Sequence, residues 1–332
     1  MRDFHFRERG TEIAKSRPRG SWQGHWTRFP MKTSDIAALL LLGALWGASF
    51  LFMRMGADAF GGVALAGMRA IGAAICSIPL LTRSRRAEIR RHWRGIAIVG
   101  VANSALPFVL FSFAAQSLPA GVSAISDAIA PLLVTLSGWM LLGEKLGAAR
   151  FYGLVTGFAG VVWLVVGTTG LGSGHASGWA MAACIGANVC YTFGAHYSQR
   201  CLRGVTPMSM ATGSQLAAAV LLLPFTAWLW PARTPGLPAW LALLGLAVAC
   251  TSLAYVLFYG LMTRVGASRS MAVLYLIPAF GVIWGFVFLH EPVTMAMIGG
   301  CIVILLGVAL TTGLLGRGDR GAAPNNVATE HA

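Results

Sequence analysis

Charge is what this sequence lacks. Only 11% of its 332 residues are Asp, Glu, Lys or Arg, where a soluble domain carries about 25%. So few charges cannot cover the surface of a water-soluble fold of this length, and that class is excluded. Acidic residues are the scarcest, 11 in all, and most lie outside the apolar stretches. There is no HExxH, no GxSxG and no cluster of carboxylates, so the constellations that hydrolytic enzymes need are missing. Nor is there a GxxxxGK[ST] loop to cradle a nucleotide, which excludes an ATP-driven pump of that type. The six cysteines (Cys76, Cys184, Cys190, Cys201, Cys250 and Cys301) form no CxxC or Cys/His spacing. Within apolar stretches such cysteines act as small hydrophobes. No catalytic residue, metal or cofactor is expected.

What the chain does have is apolar length. Hydrophobic residues make up 56%, glycine contributes 41 residues, and the mean hydropathy is +0.69. The apolar residues fall in runs of roughly 20, enough to cross a ~30 Å hydrocarbon core. The pattern predicts an all-α integral membrane protein with ten spans. They lie near 35–54, 63–82, 95–115, 120–142, 148–167, 177–198, 207–230, 239–262, 268–289 and 293–315. Pro79, Pro107, Pro131, Pro224 and Pro278 fall inside spans, where neighbouring helices can satisfy the carbonyls that proline frees. Residues 1–33 and 316–332 are polar and are expected to be disordered cytoplasmic ends. Met31 opens a stretch that would itself serve as a start.

The net charge of +14 does not indicate nucleic acid, because the basic residues sit between apolar runs rather than on one folded face. Counted by alternate segments, 22 of the 25 fall on one side of a ten-span chain. The positive-inside rule then predicts that both termini are cytoplasmic.

The chain also repeats itself at an offset of 147 residues. Pro131 maps to Pro278, Gly138 to Gly285, Glu144 to Glu291, Gly153 to Gly300 and Gly160 to Gly307, without a gap. Residues 103–166 and 250–313 share 14 identities in 64. Two five-span halves are expected, at 34–167 and 177–315. Five is odd, so the second half would enter the membrane inverted, the arrangement many secondary transporters use for alternating access.

"GALWGASF" (43–50), "AGMRAIGAA" with Arg69, and the doubled Pro/Glu/Gly signature resemble the EamA-type family of the drug/metabolite transporter superfamily. His290 and Pro292 depart from that family's usual pattern around Glu291. The resemblance implies ten helices as two inverted repeats, in a bacterial inner membrane. It also implies a secondary transporter that exports or exchanges a small metabolite such as an amino acid. A lipid or polyprenyl-phosphate translocase of the same fold is the alternative. Partners would be a small-molecule substrate, protons and the bilayer, with the chain a monomer or homodimer.

Charges inside a bilayer are costly and are functional candidates by default. Two stand clear of the span ends, Arg69 and Asp127. They are expected at equal depth, facing the bundle interior and coupled directly or through substrate. Trp46, Ser49, Asn103, Asn188, Tyr191, Tyr255, Tyr259, Tyr275 and Trp284 complete the candidate lining. Aromatic walls with a few polar groups suit a small amphipathic solute, although each residue could equally serve as interhelical glue. Pro131, Glu144, Gly153, Gly160, Pro278, Glu291, Gly300 and Gly307 are assigned structural roles. The glutamates are expected to cap the helix that follows each of them.

Overall fold

The computed structural model describes residues 31–143, 146–169 and 175–313. Glu144, the tail from Leu314 and nearly all of the amino-terminal extension lie outside these residues. Among the described residues there is no strand. The helices are α1 (Thr33–Phe60), α2 (Gly62–Leu80), α3 (Arg83–Arg91), α4 (Trp93–Ala114), α5 (Ala120–Leu141) and α6 (Ala148–Thr168). Then follow α7 (His175–Cys201), α8 (Pro207–Trp228), α9 (Leu237–Val265), α10 (Met271–Leu289) and α11 (Met295–Thr311).

Eight of these are both long and apolar enough to cross a membrane: α1, α2, α4, α5, α6, α8, α9 and α10. Of the other expected spans, α7 is long but interrupted by Asn188, Thr192, His196, Ser198 and Gln199. The last, α11, has only 17 residues. The chain is a multi-pass membrane protein, helical across its described spans, as lipid requires when every backbone N–H and C=O must bond within the protein.

In lipid, helices are not driven together by a hydrophobic effect. Small residues that allow close approach take over that role. The most extensive helix–helix contact is between α6 and α11, where the repeated glycines cross. A Cβ on Gly153 would lie 2.8 Å from the Gly307 carbonyl oxygen, and one on Gly160 would lie 2.7 Å from the Ile304 nitrogen. Gly300 faces Gly160 and Leu164 in return. The scaffold role expected of these glycines is a backbone-on-backbone crossing.

Glu291 does cap a helix, but not the one that follows it. Both its carboxylate oxygens accept from the Ala120 N–H, at 3.1 and 2.9 Å, at the start of α5. The next helix, α11, is capped instead by Thr294, whose Oγ1 accepts from Met297 N–H at 3.2 Å. The glutamate therefore joins the two halves, serving as an N-cap supplied by a residue 171 positions away. Glu291→Ala should cost about 1–2 kcal/mol of stability, read by thermal unfolding in detergent. Thr294→Ala should cost about 1 kcal/mol, and Glu291→Gln should fall between wild type and Glu291→Ala. His290, which precedes the cap, ends α10 in the left-handed region at φ 53°, as Gly143 ends α5 at φ 66°. The departure from the family pattern thus leaves the turn in place on a residue that adopts it less readily.

Outside the apolar spans, the basic helix α3 is tied down by its one acidic residue. Glu88 accepts from Thr206 N–H at 2.8 Å and Thr206 Oγ1 at 2.7 Å, at the start of α8. Hydrogen bonding from Ser209 and Thr206 holds the Glu88 carboxyl below the usual carboxylate range. Because the folded value is the lower one, the tie adds stability above the unfolded value of about 4.3. That stability is lost as pH falls through the lowered value. The melting-temperature gap between the native chain and Glu88→Ala should be present at pH 7 and shrink on acidification below about 4. A gap that widens would contradict the tie.

Candidate functional site

The site is built where two helices lose regular hydrogen bonding. α4 opens into a π-helical turn at Val101–Ala105, and α9 into a longer one at Gly245–Leu253. The two overlap at the 147-residue offset. In α4, Pro107 has no N–H for the Asn103 carbonyl, which favours such a turn. The equivalent residue in α9 is Ala254, so proline is not what opens the second. π turns are uncommon and concentrate at functional sites.

α5 is broken as well. Its first segment ends at Asp127 and its second begins at Ala130, with Pro131 in the opening turn. Proline removes the N–H that would reach the Asp127 carbonyl. The break leaves Asp127 as the last residue of the first segment. Asn188 supports it, donating from Nδ2 to the Ser126 carbonyl at 3.0 Å and to the Cys184 carbonyl at 2.8 Å.

Arg69 is 7% exposed and faces the longer π turn. Its Nε donates to Thr251 Oγ1 at 3.0 Å, and the Thr251 hydroxyl donates in turn to the Leu246 carbonyl at 2.7 Å. Nη1 lies 3.7 Å from Met53 Sδ, and the guanidinium carbon sits 3.8 Å from the centre of the Phe108 ring. An arginine has five N–H donors. Only Nε is committed to a strong acceptor here, which leaves the outer edge of the fork for an anion.

Arg69 and Asp127 each lie seven residues into their helices, about 10 Å at a 1.5 Å rise. They are within electrostatic reach of each other and of Tyr191, and Arg69 also of Tyr255. Yet the ion pairs among the described residues are Arg54–Asp58 at 3.1 Å and Arg264–Asp35 at 2.9 Å, both elsewhere. Arg69 and Asp127 share a site without forming an ion pair. Asp127 is largely buried, and among the described residues no side chain donates to its carboxylate.

The other expected lining residues divide. Tyr191 stands near Phe111, with ring centroids 6.3 Å apart, and Phe111 meets Phe50 edge-on at 5.5 Å. Tyr255 lies beside Ser104 and Gln215, which are joined by a 3.2 Å hydrogen bond. Tyr259 continues the aromatic row on α9, 6.1 Å from Tyr255, and Trp46 packs on Phe258 at 5.2 Å. Ser49 is buried beside Cys250, and Asn103 packs against Gly194 in α7. Two residues hold helices together away from this group. Trp284 Nε1 donates to the Ala44 carbonyl at 3.0 Å, and the Tyr275 hydroxyl bonds Thr312 Oγ1 at 2.7 Å.

Thr251, Met53 and Phe108 touch Arg69, and Ser104 and Gln215 flank Tyr255, without having been singled out in the sequence. One signal was available: Thr251 is the 147-offset counterpart of Ser104.

The EamA-like transporter family matches residues 33–166 and again 178–313. A probable terminal-alkyne amino-acid exporter of Streptantibioticus cattleyicolor is 28% identical, over 89% of this chain and 99% of that protein. The uncharacterized transporter YvbV of Bacillus subtilis is 26% identical, over 84% of this chain and 92% of its own. The uncharacterized inner membrane transporter YedA of Escherichia coli K12 is also 26% identical, over 78% and 84%. One crystal structure shares the fold with a TM-score of 0.59 at 20% identity, covering 86% of this chain and 98% of that one.

Proposed function

Since the chain belongs to the EamA-like transporter family, we propose that it is a secondary transporter that exports or exchanges a small zwitterionic metabolite of the amino-acid class. The observation that carries this is the pair of unmatched charges in one site. The free edge of the Arg69 guanidinium suits a carboxylate, which it can grip with two parallel hydrogen bonds. Asp127, at the helix break, suits an ammonium group. A zwitterion bridging them would neutralise both, offsetting a penalty of about 2.5–3.5 kcal/mol for each charge at a membrane centre. Tyr191, Tyr255 and the Phe50–Phe111 pair supply an apolar wall for its side chain. The amino-acid exporter among the relatives fits this reading.

In the proposed mechanism the ten helices form two inverted five-helix halves, with both termini cytoplasmic and the site at their interface. Broken helices at mid-membrane are where such transporters bind substrate. The Glu291–Ala120 cap, joining the halves on the opposite side from the basic loops, would be made in one access state and released in the other. The experiment is counterflow in proteoliposomes with a panel of amino acids, each paired with its decarboxylated amine and its N-acetylated form. Exchange of the intact amino acid should exceed that of both derivatives. Equal exchange of either derivative would overturn the zwitterion reading.

A further inference from the structure

Away from the central site, a cavity of about 410 Å³ opens where the end of α3, the start of α4 and the end of α7 meet. Arg91, His92, Trp93 and Arg94 form one wall, and Tyr197 and Cys201 the other. The Arg94 guanidinium lies 5.5 Å from the Trp93 ring centre. Six arginines fall between positions 83 and 94. None has a carboxylate within 4.0 Å among the described residues, since Glu88 is engaged by Thr206. The result is a concentrated, uncompensated positive field around a concave site.

An apolar surface adjoins this cavity. Val189 and Phe193 are 51% and 53% exposed, one turn apart on α7, and Phe193 stacks on Tyr197 at 5.9 Å. Trp93 is 59% exposed, as an indole at a membrane–water interface is. A basic pocket thus continues into an apolar stripe along the same helix. We propose that this pocket binds the phosphate headgroup of an anionic phospholipid, with Arg91 and Arg94 gripping the phosphate and an acyl chain lying along Val189 and Phe193. A free phosphate would use the arginines but not the stripe.

The test uses the full chain in detergent, titrated with phosphatidylglycerol, phosphatidylcholine or inorganic phosphate. Bound lipid is read by native mass spectrometry and protection by melting temperature. Phosphatidylglycerol should bind and protect, and the other two should not. The double variant Arg91→Gln, Arg94→Gln should bind it about 30-fold more weakly, at ~1 kcal/mol per arginine, with its lipid-free melting temperature unchanged. Arg233→Gln, an exposed arginine outside the cluster, should leave binding intact. If the double variant unfolds, Arg94→Gln alone carries the test at about fivefold. Undiminished lipid binding by these variants, or equal protection by inorganic phosphate or phosphatidylcholine, would overturn the proposal.

Discussion

Arg69→Gln should lower amino-acid exchange about 10- to 100-fold in proteoliposomes, the value of a charged hydrogen bond in free-energy terms being about 1.5–3 kcal/mol. The substituted amide would keep a polar head but lose the cation and the fork. Arg69→Lys should also fail to restore full exchange. A lysine keeps the charge but not the planar group that spans Thr251 Oγ1 and the Phe108 face. Asp127→Asn should impair exchange as well, and should erase the preference for a free amino group over its N-acetylated form. The charge-swapped double variant Arg69→Asp, Asp127→Arg separates two models. A direct ion pair would be rescued by it. The structure has no such pair within 4.0 Å, and Arg69 is positioned by α1, α4 and α9, so the swap should stay inactive. Recovery of exchange by the swap would restore the direct-pair model.

The second large effect concerns folding. Gly307→Leu should abolish the folded protein in detergent, and Gly307→Ala should lower its stability by about 3 kcal/mol. A Cβ at 307 would run into Gly157 N and Cα and lie 2.7 Å from the Gly153 carbonyl oxygen. Backbone cannot rotate away as a side chain can. Gly186→Ala is the internal control, since its Cβ would meet only Leu110 Cδ1, at an ordinary 3.6 Å. The two alanine variants, compared by thermal unfolding and by size-exclusion profile, should differ sharply. Equal stability would mean that the α6–α11 crossing yields more readily than its geometry implies.

The individual helices were legible because lipid leaves a chain few options. A run of apolar residues must bond its own backbone, so length and composition suffice to place it. α7 shows the limit, since its polar residues make it the weakest run by composition although it forms 27 residues of helix. Arg69 and Asp127 stood out for a similar reason, as rare charges in a medium that penalises them. Asn188 was a fair candidate by residue type, yet its amide holds the broken α5 together. Nothing in its local sequence distinguishes that role from substrate contact.

By itself the sequence determined the membrane class, the spacing of the helices, the doubled unit and the glycines at which two helices cross. Each follows from local composition or from the chain compared with itself. Only the tertiary structure decided that Glu291 caps α5 rather than α11, that Thr251 orients Arg69, and that Asp127 stands near Arg69 without pairing. These depend on which faces meet between residues 58 to 182 positions apart. The longer π turn that presents Thr251 to Arg69 carries the Thr251-to-Leu246 bond, a choice that local propensity leaves open and packing settles.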